Sequence, residues 1–140
     1  MGEPRGGLDI YYLDESLPRP LREALALLRD DVRYAGGLEA PAEGLDDDIW
    51  LTQVGDQDWV VIHRDTRIRK RPRERDALLE SGVRAFCLTH AGNYTRWETA
   101  RLLAHRWRDI ERTASEDAGP YICSVTWNGV RKLFIPGGTP

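Results

Sequence analysis

Two short apolar runs constrain the fold of this 140-residue chain more than any other feature. Residues 10–13 (Ile-Tyr-Tyr-Leu) end at Asp14, and residues 59–62 (Trp-Val-Val-Ile) are followed, two residues further on, by Asp65. Continuous β-branched and aromatic runs of this length are typical of strands buried on both faces of a parallel sheet. Ligands of open α/β sheets bind beyond the carboxyl ends of the strands. The runs therefore predict a parallel sheet with carboxylates at its ligand-binding end.

Strand and helix patterns alternate along the rest of the chain. Short apolar runs at 32–35 and 83–88 predict further strands, and the pair Asn128-Gly129 predicts an antiparallel hairpin over about 121–135. Helices are predicted after Pro18, from the acidic triplet 46–48, from Pro72, and over about 95–114 behind the Thr95-Glu98 capping box. This order predicts an α/β fold with a mainly parallel sheet flanked by helices, plus a C-terminal hairpin.

Apolar spacing also predicts which faces of two helices are buried. In the first helix the predicted inward stripe comprises Leu21, Leu25 and Leu28, widened by Ala24 and Leu27. In the long helix the predicted stripe comprises Trp97, Leu102, Leu103, Trp107 and Ile110.

Length and composition predict one domain. We place it at residues 9–136, between an N-terminal tail at 1–8 and a C-terminal tail at 137–140. No apolar stretch approaches the roughly 18 residues of a membrane span, and the N-terminus lacks the apolar core of a signal peptide. Cys87 and Cys123 lie in strand-like runs, so we expect reduced core thiols and a cytoplasmic protein.

The net charge of −3 conceals a polarised distribution. Residues 1–62 carry a net −9, whereas residues 63–75 carry seven bases and two acids. A basic block of this kind predicts contact with nucleic-acid phosphates. The bases that we expect to bind RNA are Arg64, Arg67, Arg69, Lys70 and Arg71.

The carboxylates near the predicted strand ends favour metal-assisted phosphodiester chemistry. Close anions repel one another, so a cluster needs a cation or must take up protons. Carboxylates with several waters are the usual environment of Mg²⁺, which completes its shell with phosphate oxygens and can activate a water molecule. The arginines after Asp65 would then hold neighbouring phosphates.

These residues resemble a known family. Over about residues 9–90 the chain resembles PIN-like ribonuclease domains. Three segments carry the resemblance, in this order: Leu13-Asp14-Glu15-Ser16-Leu17-Pro18, Asp47-Asp48-Ile49-Trp50 and Val60-Val61-Ile62-His63-Arg64-Asp65. Within this family, the chain resembles the compact VapC-type toxins of bacterial toxin–antitoxin pairs.

The resemblance implies a three-layer PIN-like fold and a Mg²⁺- or Mn²⁺-dependent endoribonuclease. By position, Asp14, Asp47 and Asp65 would be both catalytic and metal-binding, with Glu15 and Asp48 as second choices. It further implies an RNA substrate and a cognate antitoxin, and it allows a homodimer. One departure is that PIN nucleases usually carry another glutamate between the first and third acids; the candidates here are Glu39, Glu43 or Glu15.

Structural alternatives exist for each motif. Asp14 could be a helix N-cap or turn residue, Asp47 and Asp48 could simply suit the helix dipole, and the basic block could be a solvated surface. Trp127 beside the hairpin turn could pack in the core or stack on a base or partner. The contrasting hypothesis for the whole chain is a catalytically inactive module that binds RNA or a protein through its basic segment.

Overall fold

The structure, a computed structural model, describes residues 9–64 and 71–140. The described strands are β1 (Tyr11–Leu13), β2 (Val32–Tyr34), β3 (Val60–His63), β4 (Arg84–Leu88), β5 (Tyr121–Thr126) and β6 (Gly129–Phe134). The α-helices are α1 (Arg19–Leu28), α2 (Asp47–Asp56), α3 (Pro72–Glu80) and α4 (Arg96–Glu116). The predictions for the tail at 1–8, and for Asp65, Arg67, Arg69 and Lys70, lie outside the described residues.

The predicted α/β fold is confirmed. The strand order is β2-β1-β3-β4-β5-β6; neighbouring strands from β2 to β5 pair in parallel, and β6 pairs antiparallel with β5. Parallel pairing brings the ends of β1, β3, β4 and β5 to one side of the sheet, which we call the carboxyl end of the sheet. The hairpin turn between β5 and β6 lies at this same end.

Both faces of the sheet are covered, as continuous apolar strands require. One core cluster joins Leu13, Ile62 and Phe86 to α1 and α4, and the other joins Tyr12, Val61 and Ala85 to α2 and α3. The result is three layers, helices–sheet–helices. No helix in the described ranges is long and apolar enough to cross a membrane.

The thiols of Cys87 and Cys123 are buried and form no disulfide. Burial raises the pKa of the Cys123 thiol to about 12, so this thiol stays protonated at neutral pH.

The predicted stripe of α1 is wrong on one side. Leu27 and Leu28 are 88% and 79% exposed, whereas Arg22 on the inward face is only 4% exposed. Arg22 can occupy a core position because its guanidinium donates to the carbonyl oxygens of Leu17 at 3.0 Å and Ala35 at 2.7 Å. Hydrophobic periodicity alone cannot identify a buried arginine whose hydrogen bonds come from distant loops.

The stripe of α4 is correct except at its start. Leu102, Leu103, Trp107 and Ile110 are buried, but Trp97 is 72% exposed. Trp97 lies in the first turn of α4, and the buried residues of this helix begin at Thr99.

Candidate functional site

The loop after β1 holds Asp14 half-buried at the carboxyl end of the sheet. One carboxylate oxygen, Oδ1, accepts hydrogen bonds from the backbone N–H of Ser16 at 3.0 Å and from the Ser16 hydroxyl. Asp14 is therefore a turn residue as well as a candidate ligand. It is not the N-cap of α1, which is Pro18.

Ser16 links the loops that follow two neighbouring strands. Its hydroxyl oxygen also accepts a hydrogen bond from the backbone N–H of Arg64 at 2.9 Å. The backbone N–H of Asp14 in turn donates to the carbonyl oxygen of Ile62 at 3.2 Å. These bonds hold the exits of β1 and β3 side by side, which orients the Asp14 carboxylate.

The first turn of α2 supplies the second carboxylate. Asp47 Oδ1 accepts a hydrogen bond from the indole N–H of Trp50 at 3.0 Å, and the Trp50 ring packs 5.6 Å from that of Tyr12 on β1. Asp46 is the N-cap residue but makes no side-chain capping bond. The position of Asp47 in the first turn suits the helix dipole, which was the structural alternative to a metal-binding role. Its side chain also lines a cavity together with Asp14, at the end of β1.

Asp14 and Asp47 line the same cleft, which we call the acidic cleft. Its larger part has a volume of about 170 Å³ and is also lined by Glu15, Ser16 and Trp50. A smaller part of about 40 Å³ adds His63, Glu74 and Leu78 to the shared walls of Asp14, Asp47 and Trp50. Asp48 is exposed and lines neither part.

The structure brings to the cleft a carboxylate that the sequence motifs did not single out. Glu74 lies in the first turn of α3, its side chain is 24% exposed, and its Oε1 lies 3.4 Å from a guanidinium nitrogen of Arg71. The only sequence signal for Glu74 was its place at the start of a helix behind Pro72, which indicates nothing about the cleft.

The glutamates that the sequence offered as a further acid have other roles. Glu15 accepts a hydrogen bond from the backbone N–H of Gly44 at 2.9 Å, which ties the cleft wall to the loop before α2. Glu43 pairs with Arg19 at 2.9 Å and with Arg22 at 3.1 Å. The hydrogen bond from Arg22, with Arg19 close by, lowers the pKa of the Glu43 carboxyl. Glu39 is exposed and lines neither part of the cleft.

The tyrosine in the wall of the cleft stays protonated. Burial raises the pKa of Tyr12 far above its usual value, and the nearby carboxylates of Asp14 and Glu15 raise it further. Tyr12 is therefore a neutral donor beside the carboxylates at physiological pH.

Within the described ranges, no three histidine, cysteine or acidic side chains are grouped closely enough to enclose a metal ion. The donor set of the acidic cleft nevertheless suits a hard divalent cation. Mg²⁺ is usually bound through one or two carboxylates and keeps several waters, and Asp14, Asp47 and Glu74 provide carboxylates around one small cavity. The site prediction for Asp65 cannot be placed, because this residue is outside the described ranges.

Part of the basic segment flanks this cleft. Arg64 is half-buried after β3, and Arg71 is exposed beside Glu74. The guanidinium of Arg75 stacks on the Phe134 ring at 4.5 Å, so this arginine packs α3 against β6. Arg67, Arg69 and Lys70 are not among the described residues.

Comparison with known proteins gives two matches. A family model described as "PIN like domain" matches residues 10–90. The protein "Putative ribonuclease VapC45" from Mycobacterium tuberculosis is 31% identical over 123 residues, which cover 84% of this chain and 86% of that protein. No solved structure gives a significant match. The family match contains the acidic cleft and ends before α4, β5 and β6.

Proposed function

Because the chain belongs to the PIN-like domain family, we propose that it is a ribonuclease that hydrolyses RNA phosphodiester bonds at the acidic cleft. The observation that carries this proposal is that Asp14 and Asp47, from separate elements, line one cleft at the carboxyl end of the sheet. The name of the mycobacterial relative, which aligns with most of the chain, supports the same activity.

We further propose that the cleft binds Mg²⁺ or Mn²⁺. Asp14, Asp47 and Asp65 are the proposed ligands and Glu74 supplies the additional acid. Glu15 remains a second choice because it lines the cleft, whereas Asp48 lines neither part of it. Such a cation, when bound, lowers the pKa of a bound water and stabilises charge on a phosphoryl oxygen.

The surrounding residues would hold these groups in place before substrate arrives. Ser16 fixes one oxygen of Asp14, and the indole of Trp50 fixes one oxygen of Asp47. Glu15 holds the loop at Gly44, so in this proposal it shapes the cleft rather than reacting. Arg64 and Arg71, with Arg67, Arg69 and Lys70, would bind RNA phosphates beside the scissile bond.

We propose that the biological role is that of a toxin in a type II toxin–antitoxin pair. The proposed partner is a cognate antitoxin that covers the acidic cleft and inserts a basic side chain there. A net charge of −9 over residues 1–62, which include Asp14 and Asp47, supports recognition by a basic segment. A structure of the complex with an open cleft would contradict this part of the proposal. Homodimer formation stays a prediction.

The test is RNA cleavage by purified protein with Mg²⁺ or Mn²⁺. The wild type is compared with Asp14→Asn and Asp65→Asn, and with Asp30→Asn as a control in an exposed turn away from the cleft. We expect the variants at the two proposed ligands, Asp14 and Asp65, to lose roughly 100-fold or more in rate, because several kcal/mol of charge stabilisation are removed. The control should cleave normally.

Cleavage that is equal in all four proteins would refute the assignment. Salt-sensitive RNA binding without metal-dependent cleavage by the wild type would favour the inactive binding module instead. Glu74→Gln tests whether Glu74 takes part in the reaction. If Glu74 binds the metal or positions the water, the variant should fold normally and cleave RNA more slowly.

A further inference from the structure

A second concave surface lies at the carboxyl end of the sheet, between the exit of β4 and the β5–β6 hairpin. This groove, which we call the hairpin groove, has a volume of about 460 Å³. Its polar lining residues are Thr89, His90, Ser124, Thr126, Asn128 and Arg131, and none of its lining residues is acidic. It therefore differs in charge from the acidic cleft.

The groove lies on the sheet face that α2 and α3 pack against. Ile122 belongs to the core cluster beneath these helices, and Ser124, two residues further along β5, points to the same face. Arg131 on β6 pairs in register with Ser124. Further along this face, the side chains of Ser124, Thr126 and Arg131 line the groove, whereas apolar side chains lie beneath the helices.

One buried hydroxyl in the groove makes no hydrogen bond within the described structure. Thr89 is 5% exposed, and its Oγ1 has no hydrogen-bond partner among the described residues. An unsatisfied buried hydroxyl is destabilising, so such groups normally have a hydrogen-bond partner. A ligand that reaches into the groove could supply this partner.

The hairpin turn is held firmly from the opposite side. Arg106 of α4 donates hydrogen bonds to the carbonyl oxygens of Thr126, at 3.0 Å, and of Trp127. The Trp127 ring packs 5.5 Å from His105 and 5.7 Å from the Arg101 guanidinium. The Trp127 ring therefore packs against α4, and this contact helps to fix the turn that forms one wall of the groove.

The position of the groove relates it to the acidic cleft. Neighbouring strands lie about 4.8 Å apart, so β4 and β5 are roughly 10 and 14 Å from β1. The intervening strand, β3, leads into the basic segment at Arg64. One extended strand of nucleic acid could therefore pass from the cleft to the groove along the same end of the sheet.

We propose that the hairpin groove is a binding subsite for single-stranded RNA flanking the cleaved bond. Arg131 would bind a phosphate, and Thr89, Ser124 and Asn128 would bind ribose hydroxyls or base edges, which are the contacts proteins use on unpaired RNA. This inference rests on the proposed ribonuclease function, since RNA is the substrate there. It assigns a role to the hairpin, which lies outside the matched PIN region at residues 10–90.

The first test measures binding of fluorescent single-stranded RNA in an Asp14→Asn background, so that RNA is not consumed. Arg131→Ala should weaken binding roughly fivefold to tenfold and reduce the slope of log K against log salt by about 0.7, the value for one phosphate contact on a single strand. Arg108→Ala, which removes an exposed arginine of α4 outside the groove, is the matched control and should change neither quantity.

Thr89→Val tests the orphaned hydroxyl. Because the hydroxyl has no partner in the described structure, its removal should leave the free energy of unfolding unchanged or slightly higher. RNA affinity should nevertheless fall about threefold to tenfold. A clear loss of stability with normal RNA affinity would show that the hydroxyl is structural and would contradict its role as a ligand contact.

Cleavage kinetics distinguish failure of this inference from failure of the proposed function. In the otherwise wild-type enzyme, Arg131→Ala should raise KM for a long RNA and leave kcat unchanged. If the wild type cleaves RNA but Arg131→Ala behaves like Arg108→Ala in binding and KM, the subsite is refuted and the ribonuclease stands. If the wild type does not cleave at all, the proposed function fails, and the binding measurements still decide the groove. If Arg131→Ala loses antitoxin binding but binds RNA normally, the groove would be assigned to a protein partner and the proposal would be overturned.

Discussion

The ion pair between Arg84 and Asp9 is buried at the end of the sheet opposite the acidic cleft. The two side chains are 1% and 3% exposed, and the guanidinium lies 3.0 Å from Asp9 Oδ1. Arg84 also donates to the carbonyl oxygens of Ala114 at 2.7 Å and Asp58 at 3.2 Å. One side chain thus connects the start of β4 to the N-terminal segment, the end of α4 and the turn before β3.

We predict that Asp9→Asn lowers the free energy of unfolding by about 3 kcal/mol. Removal of one partner from a buried ion pair typically costs about 3–5 kcal/mol, because the remaining charge stays buried without compensation. The lower end applies here, since the two carbonyl oxygens remain and the half-exposed Asp58 carboxylate lies 4.0 Å from the guanidinium. Such a loss is a large share of the roughly 5–15 kcal/mol that stabilises a protein.

Urea unfolding followed by circular dichroism measures this loss. With a slope of about 1–3 kcal/mol per molar urea, the midpoint should fall by roughly 1–3 M. The control Asp56→Asn, at the exposed end of α2, should change stability by less than about 0.5 kcal/mol. RNA cleavage per folded molecule should be unchanged, because the pair is remote from the cleft.

A loss below about 1 kcal/mol for Asp9→Asn would refute the reasoning, since that is the magnitude of a solvent-exposed pair. The double variant Asp9→Leu with Arg84→Met provides a second check. The double variant should be less damaging than Arg84→Met alone, because both lose the hydrogen bonds to Ala114 and Asp58, and only the single variant leaves a buried carboxylate without its guanidinium.

Two further predictions concern stability. Gly55→Ala should destabilise the protein by about 1–2 kcal/mol in urea unfolding despite the better helix propensity of alanine, because the new Cβ would lie 2.4 Å from the Ser81 carbonyl oxygen; a gain in stability would contradict this packing. The Arg22 hydrogen bond lowers the pKa of Glu43, so its stabilising effect is present at neutral pH and lost as pH falls through the lowered value. Wild type should therefore exceed Glu43→Gln in stability at pH 7, and the difference should shrink below about pH 4; a difference that is constant from pH 7 to pH 3 would exclude this linkage.

Much of the fold could be predicted because the relevant signals are local. The runs that became β1 and β3 needed no information from elsewhere, since residues apolar at every position suit a strand covered on both faces. Asn128-Gly129 predicted the hairpin, whose two turn residues are Trp127 and Asn128. The Thr95–Glu98 capping box marks the start of α4, where the Glu98 N–H donates to the Thr95 hydroxyl at 3.1 Å. The juxtaposition of Asp14 and Asp47 likewise agrees with the rule that ligands bind at the carboxyl ends of parallel strands.

The sequence by itself determined the strands, the order of elements and the acids nearest the strand ends, because these depend on neighbours along the chain. Only the tertiary structure decided that Glu74 joins the acidic cleft, that Arg22 belongs inside, and that Thr89 lines a groove. Each of these positions depends on groups far away in sequence: the packing of α3 across β3, carbonyl oxygens on two loops, and a hairpin more than thirty residues later. A polar side chain acquires its role from what surrounds it, and that environment exists only after the sheet has brought distant segments together.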